Sequence, residues 1–315
     1  MQSWNWMKYF HPSNVLTLNN QILSSKLLYP GKKLPIRLIR GVEMYGPEFF
    51  FLPNKFFKIV ESTNDSVIIE NTEEDLILTI PKIFLEKSLR KPGLYQNQIT
   101  PKIREWVFSI PLTSALSKDM EKYLSLSSKN LPAKKSFGER WFSHIYDQIS
   151  KKEPWGRIFI PDKTSLASTS VIAHYTNEIV TCSKNFYILS SKNSEYEKFL
   201  AIWFNSSIFL SRYLIERREI GGSFGRLQIV DYNTQKLLPH PSIIKNADLS
   251  TLFAVFDEIR VKKMPSILEQ RSSNIKYELD EELIRILQNS MRLDIDLETI
   301  ISSVNTCLDS FSLRD

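Results

Sequence analysis

The chain has 315 residues, 42% hydrophobic, with 19 Phe, 12 Tyr and 6 Trp but only 9 Gly, which allows a sizeable core and excludes a glycine-rich repeat or disordered protein. Its net charge of +6 divides unevenly: residues 1–242 carry 32 Lys+Arg against 22 Asp+Glu (+10), and residues 243–315 carry 9 against 13 (−4). Two distant cysteines, Cys182 and Cys307, exclude a disulfide framework and a cysteine metal cluster and suit a reducing cytoplasm.

The opening stretch "MQSWNWMKYFHPSN" lacks the apolar run of a signal peptide. From there to about residue 130 short apolar runs alternate with turn signals. "PIRLIRG" (Pro35 to Gly41) reads as a strand, and "EFFFL" and "KFFKIVE" as strands around a turn at Pro53 and Asn54. "DSVIIENTEEDLILTIP" reads as a hairpin of Ser66–Glu70 and Leu76–Ile80, "REWVFSIP" as a strand, and "LSKDMEKYLSLSSK" as a short helix. Residues 127–137 look like a loop.

In the next stretch "GERWFSHIYDQISK" has helical spacing, and "GRIFIP" and "KNFYILSS" read as strands. "SEYEKFLAIWFNSSIFLSRYLIER" has the period of one amphipathic helix, with Glu195 and Glu197 suited to its N-terminus. Its apolar part is short for a bilayer span and is interrupted by Asn205, Ser206, Ser207, Ser211 and Arg212, so no membrane association is expected. After Pro241 the chain reads as helical, with Asp280 at an N-cap position and Asp294 or Asp296 opening a last helix. The expected class is α+β: a mixed-sheet body with packed helices and a helical C-terminal segment. It divides into a β-rich part (1–130), an α+β core (131–242) and the helical segment (243–315).

Familiar catalytic patterns are missing from the sequence. The cluster Gly221, Gly222 and Gly225 follows a helix and precedes a strand, the reverse of a dinucleotide-binding loop, and lacks the Lys-Ser/Thr pair of a P-loop. Its glycines read as positive-φ positions where a helix ends. No lysine has an acidic residue two positions before it, so the "PD" at Pro161 and Asp162 finds no nuclease partner. His11, His144, His174 and His240 lack metal-ligand spacing, and His144 with Asp147 reads as a surface contact one helical turn apart. The expected catalytic and metal sites in this chain are therefore none.

Positions 137–242 hold a particular order of pieces: "WFSHIYDQISK", "GRIFIP", "IAHYTNEIVTCSKNFYILSS", a helix with "FLAIWFNSSIFLSRYL", then "RREIGGSFGRLQIVDYNTQKLLPHP". This order resembles the target-recognition region of adenine-specific DNA methyltransferases, the TaqI-like C-terminal specificity domains, and the similar regions of fused restriction-modification enzymes. "RLIRGVEMYGPEFFFL", "IPKIFLEKSLRKPGLY" with "WVFSIP", and the closing "QRSSNIKYELDEELIRILQ" extend the resemblance to nearly the whole chain. It implies sequence-specific recognition of double-stranded DNA. The family's glycine-bearing cofactor motif and Asn-Pro-Pro-Tyr-like loop do not occur here. The resemblance therefore implies a specificity subunit, or the specificity part of a larger enzyme. S-adenosylmethionine would be bound by a methyltransferase domain or subunit. A general DNA- or RNA-binding module, or an enzyme with an unrecognised site, stands as the alternative.

The expected DNA contacts are arginines and lysines in turn-like segments, since a guanidinium fork fits both phosphate and guanine. Arg217, Arg218 and Arg226 bracket the glycines, with Ser223 available to a phosphate and Phe224 available to stack or wedge. Arg217 could instead pair with Glu216 or Glu219, and Phe224 could belong to the core. Arg37, Arg40, Arg90, Lys91, Lys134, Lys135 and Arg157 complete the set. Trp141, Trp155 and Trp203 read as core, and Asn205 as a buried group bonding a neighbouring backbone.

Overall fold

A computed structural model describes residues 12–71, 73–95, 97–126, 132–219, 224–245, 247–291 and 294–312. Along the first half run α1 (Ser13–Ser24), β1 (Leu28–Tyr29), β2 (Ile36–Arg40), α2 (Pro47–Phe50), β3 (Phe51–Leu52), β4 (Lys58–Ser62), β5 (Ser66–Asn71), β6 (Leu76–Pro81), β7 (Leu85–Leu89), β8 (Trp106–Phe108), α3 (Lys118–Leu126), α4 (Pro132–Phe137) and α5 (His144–Lys152). Then come β9 (Gly156–Pro161), β10 (Thr164–Ser165), β11 (His174–Cys182), β12 (Phe186–Ser191), α6 (Ser194–Asn205), α7 (Ser207–Glu216), β13 (Arg218–Glu219), β14 (Phe224–Arg226), α8 (Ile229–Thr234), β15 (Leu238–Pro239), α9 (Ser250–Ile259), α10 (Tyr277–Met291) and α11 (Leu297–Ser312). The class is α+β, with helices closing the C-terminal side.

The frame is a seven-stranded mixed sheet in the order β2-β12-β9-β11-β7-β8-β3, so residues before and after 130 share one sheet. Only β11 and β7 run parallel; the other pairs are antiparallel. Period-2 burial explains the two faces of β9. Ile158 and Ile160 enter the large core beneath α6, α7 and the C-terminal helices, whereas Phe159 joins Leu89, Phe186 and Ile188 on the other side. The hairpin expected at residues 66–80 is β5–β6, extended by β4 into a separate three-stranded sheet. Its buried row, Val67, Ile69, Leu78 and Ile80, packs into an N-terminal core with Phe49, Phe50, Phe108 and Tyr123.

Several local expectations change. "EFFFL" is not a strand throughout: Pro47 at the first helical position starts a turn of helix, α2, and only Phe51–Leu52 pair as strand. Residues 132–137 form α4 rather than loop, and 127–131 lie outside the described residues. The single helix expected from residue 194 is two. Ser206 ends α6 with extended backbone and accepts from Phe209 N as the N-cap of α7. Asp280 does not cap its own helix; it lies within the first turn of α10 and receives Ser207 N at 2.8 Å and Ser207 Oγ at 2.5 Å. Burial raises the Asp280 carboxyl above its ordinary range, and these bonds oppose that shift.

The expectations for Asp296, Asn205 and Trp203 hold. Asp296 accepts from Thr299 N at the start of α11. Asn205 is buried and bonds Ile172 N, Ala173 N and Ala173 O. Trp203 is fully buried, while Trp141 and Trp155 pack partly buried on the N-terminal core. Among the described residues no helix is long and apolar enough to cross a membrane.

Candidate nucleic-acid interface

The expected site residues divide by what anchors them. At the end of α7 the chain turns into β13, and β13 pairs with β14 so that Arg218 faces Arg226 across the ladder. β14 pairs in turn with β10, which sets Phe224 opposite Ser165. The tip that joins β13 to β14, with Gly221, Gly222 and Ser223, lies outside the described residues. Gly225 is not a positive-φ position. Its need is steric: a Cβ there would lie 2.7 Å from Arg217 Cδ.

Arg217 and Arg218 are neighbours with opposite fates. Arg217 is buried against Gly225, with Nη2 3.8 Å from Glu219 Oε1. Arg218 leaves 39% of its side chain exposed and donates to Asp231 Oδ1 at 2.6 Å. The other Asp231 oxygen accepts from Gln228 N at 2.8 Å, so one carboxylate caps α8 and holds an arginine. Arg226 donates to Asp162 Oδ2 at 3.3 Å and to the Tyr187 hydroxyl at 3.5 Å. Arg40, from the edge strand β2, reaches the same Asp162 oxygen at 3.2 Å and donates from Nε to Lys184 O at 2.9 Å. Lys184 extends an ammonium to Glu43. Phe224 stands 47% exposed on the same small sheet, not in the core.

Arg40 thus comes together with Arg218, Arg226 and Phe224 of the hairpin, although residues 40, 162 and 184 are far from it in sequence. Arg40, Lys184, Arg218 and Arg226 meet three carboxylates, Glu43, Asp162 and Asp231. Exposed Lys163 adds charge beside them. The "PD" that lacked a nuclease partner is the hub of this network. Sequence reading missed Lys184 and Asp231. Lys184 lies in an ordinary turn between β11 and β12, and Asp231 bears a signal only as the third residue of α8.

The remaining candidates sit elsewhere. Arg37 donates to the Lys152 and Glu153 carbonyls and caps α5. Arg90 is mostly covered, pairing with Glu48 at 2.5 Å and donating to Pro53 O at 3.3 Å, so it holds the N-terminal part together. Arg157 donates to Asn177 O at 2.7 Å and lies 3.9 Å from Glu197. Lys91 and Lys135 are exposed, and Lys134 lies over the Trp141 ring at 5.1 Å. Among the described residues no three His, Cys, Asp or Glu side chains are grouped to hold a metal ion.

No family model matches the chain, and no curated protein matches its sequence. Among solved structures, that of the type IIG restriction endonuclease BpuSI is similar in fold, with a TM-score of 0.60 at 14% identity. The match covers 96% of this chain and 33% of that one, so the chain spans about a third of that enzyme's length, and the likeness is one of fold.

Proposed function

We propose that this chain recognises duplex DNA as the target-recognition part of a restriction-modification system. One observation carries the reading: Arg40 of β2 converges on Arg218 and Arg226 of one small hairpin, each held by a buried carboxylate while 45%, 39% and 22% of its own side chain stays exposed. Each guanidinium is a five-donor fork, so its exposed face can meet a phosphate or a guanine edge while the buried carboxylate stays in place. The fold likeness to part of a restriction endonuclease supports the same reading. Adenine methylation, with S-adenosylmethionine, is assigned to a partner or adjoining methyltransferase domain, following the TaqI-like resemblance of the sequence.

The test is a titration of the full chain against random-sequence and selected duplexes at several salt concentrations. The expected result is binding whose logarithm falls linearly with the logarithm of salt, together with enrichment of one short site from a random pool. Binding indifferent to salt, or no enrichment with a methyltransferase subunit present or absent, overturns the proposal.

A further inference from the structure

The bonded path from the hairpin runs past Arg40. Lys184, whose carbonyl receives Arg40, pairs with Glu43; the Glu43 backbone exchanges hydrogen bonds with the Gln148 side chain at 3.0 and 2.8 Å. Gln148 lies on α5, one turn after His144. The path therefore ends at an aromatic cluster.

His144 is buried with Nδ1 2.7 Å from Trp141 O, an arrangement in which Nδ1–H donates. Burial lowers its pKa and favours the neutral ring. That ring stacks on Phe137, centroids 4.7 Å apart and planes within 15°, with Phe50 closing its edge at 4.8 Å. Tyr45 stands at 81° to Phe137, 5.1 Å away, fixed by the bond from Ala133 N to Tyr45 O. Despite this bracing, Phe137 and Tyr45 remain 36% and 37% exposed. Two braced rings thus meet at nearly a right angle, each with about a third of its surface open to solvent. Lys134, Lys135 and Arg140 lie on the same short stretch of chain as Phe137, with Glu139 among them and Arg140 paired to Asp147 at 2.8 Å.

We propose that the Tyr45–Phe137 corner is a stacking platform for one unpaired base of the bound DNA, with Lys134, Lys135 and Arg140 near the adjoining phosphates. The inference rests on the DNA-recognition reading above. Charge selects the occupant: exposed Lys135, with Lys134 over the neighbouring Trp141 ring and Arg140 paired to Asp147, leaves the aromatic face on a mainly cationic stretch, which suits a polyanion with flat π-faced groups. A buried histidine behind Phe137 and two helices behind Tyr45 supply the rigidity that such stacking needs.

The experiment compares a duplex carrying one extrahelical base with the same duplex fully paired, using the whole chain. The expected result is about ten-fold tighter binding of the bulged duplex, within the range of one base–aromatic stack. Phe137→Ala should erase this preference while keeping paired-duplex affinity within about two-fold, which also reports an intact fold, and Phe137→Trp should restore it. Equal affinity in the unaltered chain, or a preference that survives Phe137→Ala, overturns the platform and leaves the DNA-recognition reading standing. A DNA-free dimer that Phe137→Ala dissociates assigns the corner to a second copy and overturns it too. If neither duplex binds at low salt, the DNA-recognition reading fails and takes the platform with it.

Discussion

Arg212 and Arg226 lie fourteen positions apart on either side of one turn, and they do opposite things. Arg212 keeps only 2% of its side chain exposed. Its guanidinium donates to Asn19 on α1, to Glu216 at 3.1 Å and to Lys236 O at 3.4 Å, tying α1 and the bend at residue 236 to α7. Burial works against its charged form, and Glu216 offsets this only in part. Arg226 meets one carboxylate and one hydroxyl at the long end of the hydrogen-bond range. Burial separates a tie within the fold from a cation available to a ligand; residue type does not. The cleanest way to break the comparison is Arg212→Ala, which strands Glu216 and Asn19 without their partner. It should cost about 3–5 kcal/mol of stability by urea unfolding, the penalty of splitting a buried pair, whereas Arg226→Ala, which leaves Asp162 its bond to Arg40, should cost about 1–2 kcal/mol. Similar losses from both would erase the distinction.

The same contrast extends to a buried base that no ligand meets. His174 is fully enclosed, with Nδ1 2.8 Å from Gln98 O, and burial lowers its pKa from 6.5 to about 4. The unfolded chain therefore takes up this proton first. The stabilisation from a neutral His174 is complete above about pH 6.5 and is lost as pH falls toward 4, by roughly 3 kcal/mol in all. Unfolding free energies measured at pH 7, 5.5 and 4.5 for the unaltered chain and for His174→Asn should converge as pH falls. Parallel curves would mean that His174 is not neutral in the fold.

How far these roles were legible in the sequence depends on the distance to the partner. Strands β5 and β6 alternate buried and open positions, and β9 and β12 are short apolar runs buried on both faces; both patterns are local and so visible in the sequence. The break at Ser206 is not, because α6 and α7 keep one apolar period across it; Ser206 caps Phe209 N locally, but Ser207 N is satisfied only by Asp280, 73 residues on. Arg217 and Arg218 could not be told apart from sequence. Their difference is made by Gly225 on one side and Asp231 on the other, which only the fold brings close. Of the candidate contacts, Arg37 and Arg90 went to caps and ion pairs because nearby carbonyls and Glu48 compete for them. Alternation along β2 helps explain this: Arg37 shares a parity with Ile39 and Arg40 with Leu38, and the two arginines face different neighbours.

On the exposed side of the comparison, Arg226→Ala and Arg218→Ala should each weaken duplex binding by about ten-fold, the order of one lost guanidinium contact. A phosphate contact lowers the salt slope by about 1 and acts on all sequences alike; a base contact relaxes preference at one position and leaves the slope. Fluorescence anisotropy across a salt series with matched and single-mismatch duplexes separates the two. Arg157→Ala, whose guanidinium is committed to Asn177 O and Glu197, should leave binding unchanged within about two-fold.

The smallest effect is the most discriminating. Asp162 holds Arg40 and Arg226 on a single oxygen, Oδ2, while its backbone N donates to Asn185 O and stays fixed whatever its side chain is. Asp162→Asn keeps the size and the backbone bond but removes one negative charge from between two arginines. If those arginines meet DNA, the local repulsion of phosphate falls. Affinity should then rise by a few-fold at low salt, about 0.5–1 kcal/mol, and the gain should shrink as salt screens the charge. If the arginines serve the fold alone, the same substitution loosens β2 from the hairpin, and affinity falls or stays level. The sign of the change under Asp162→Asn therefore decides whether this carboxylate stores the arginines for DNA or for the protein itself.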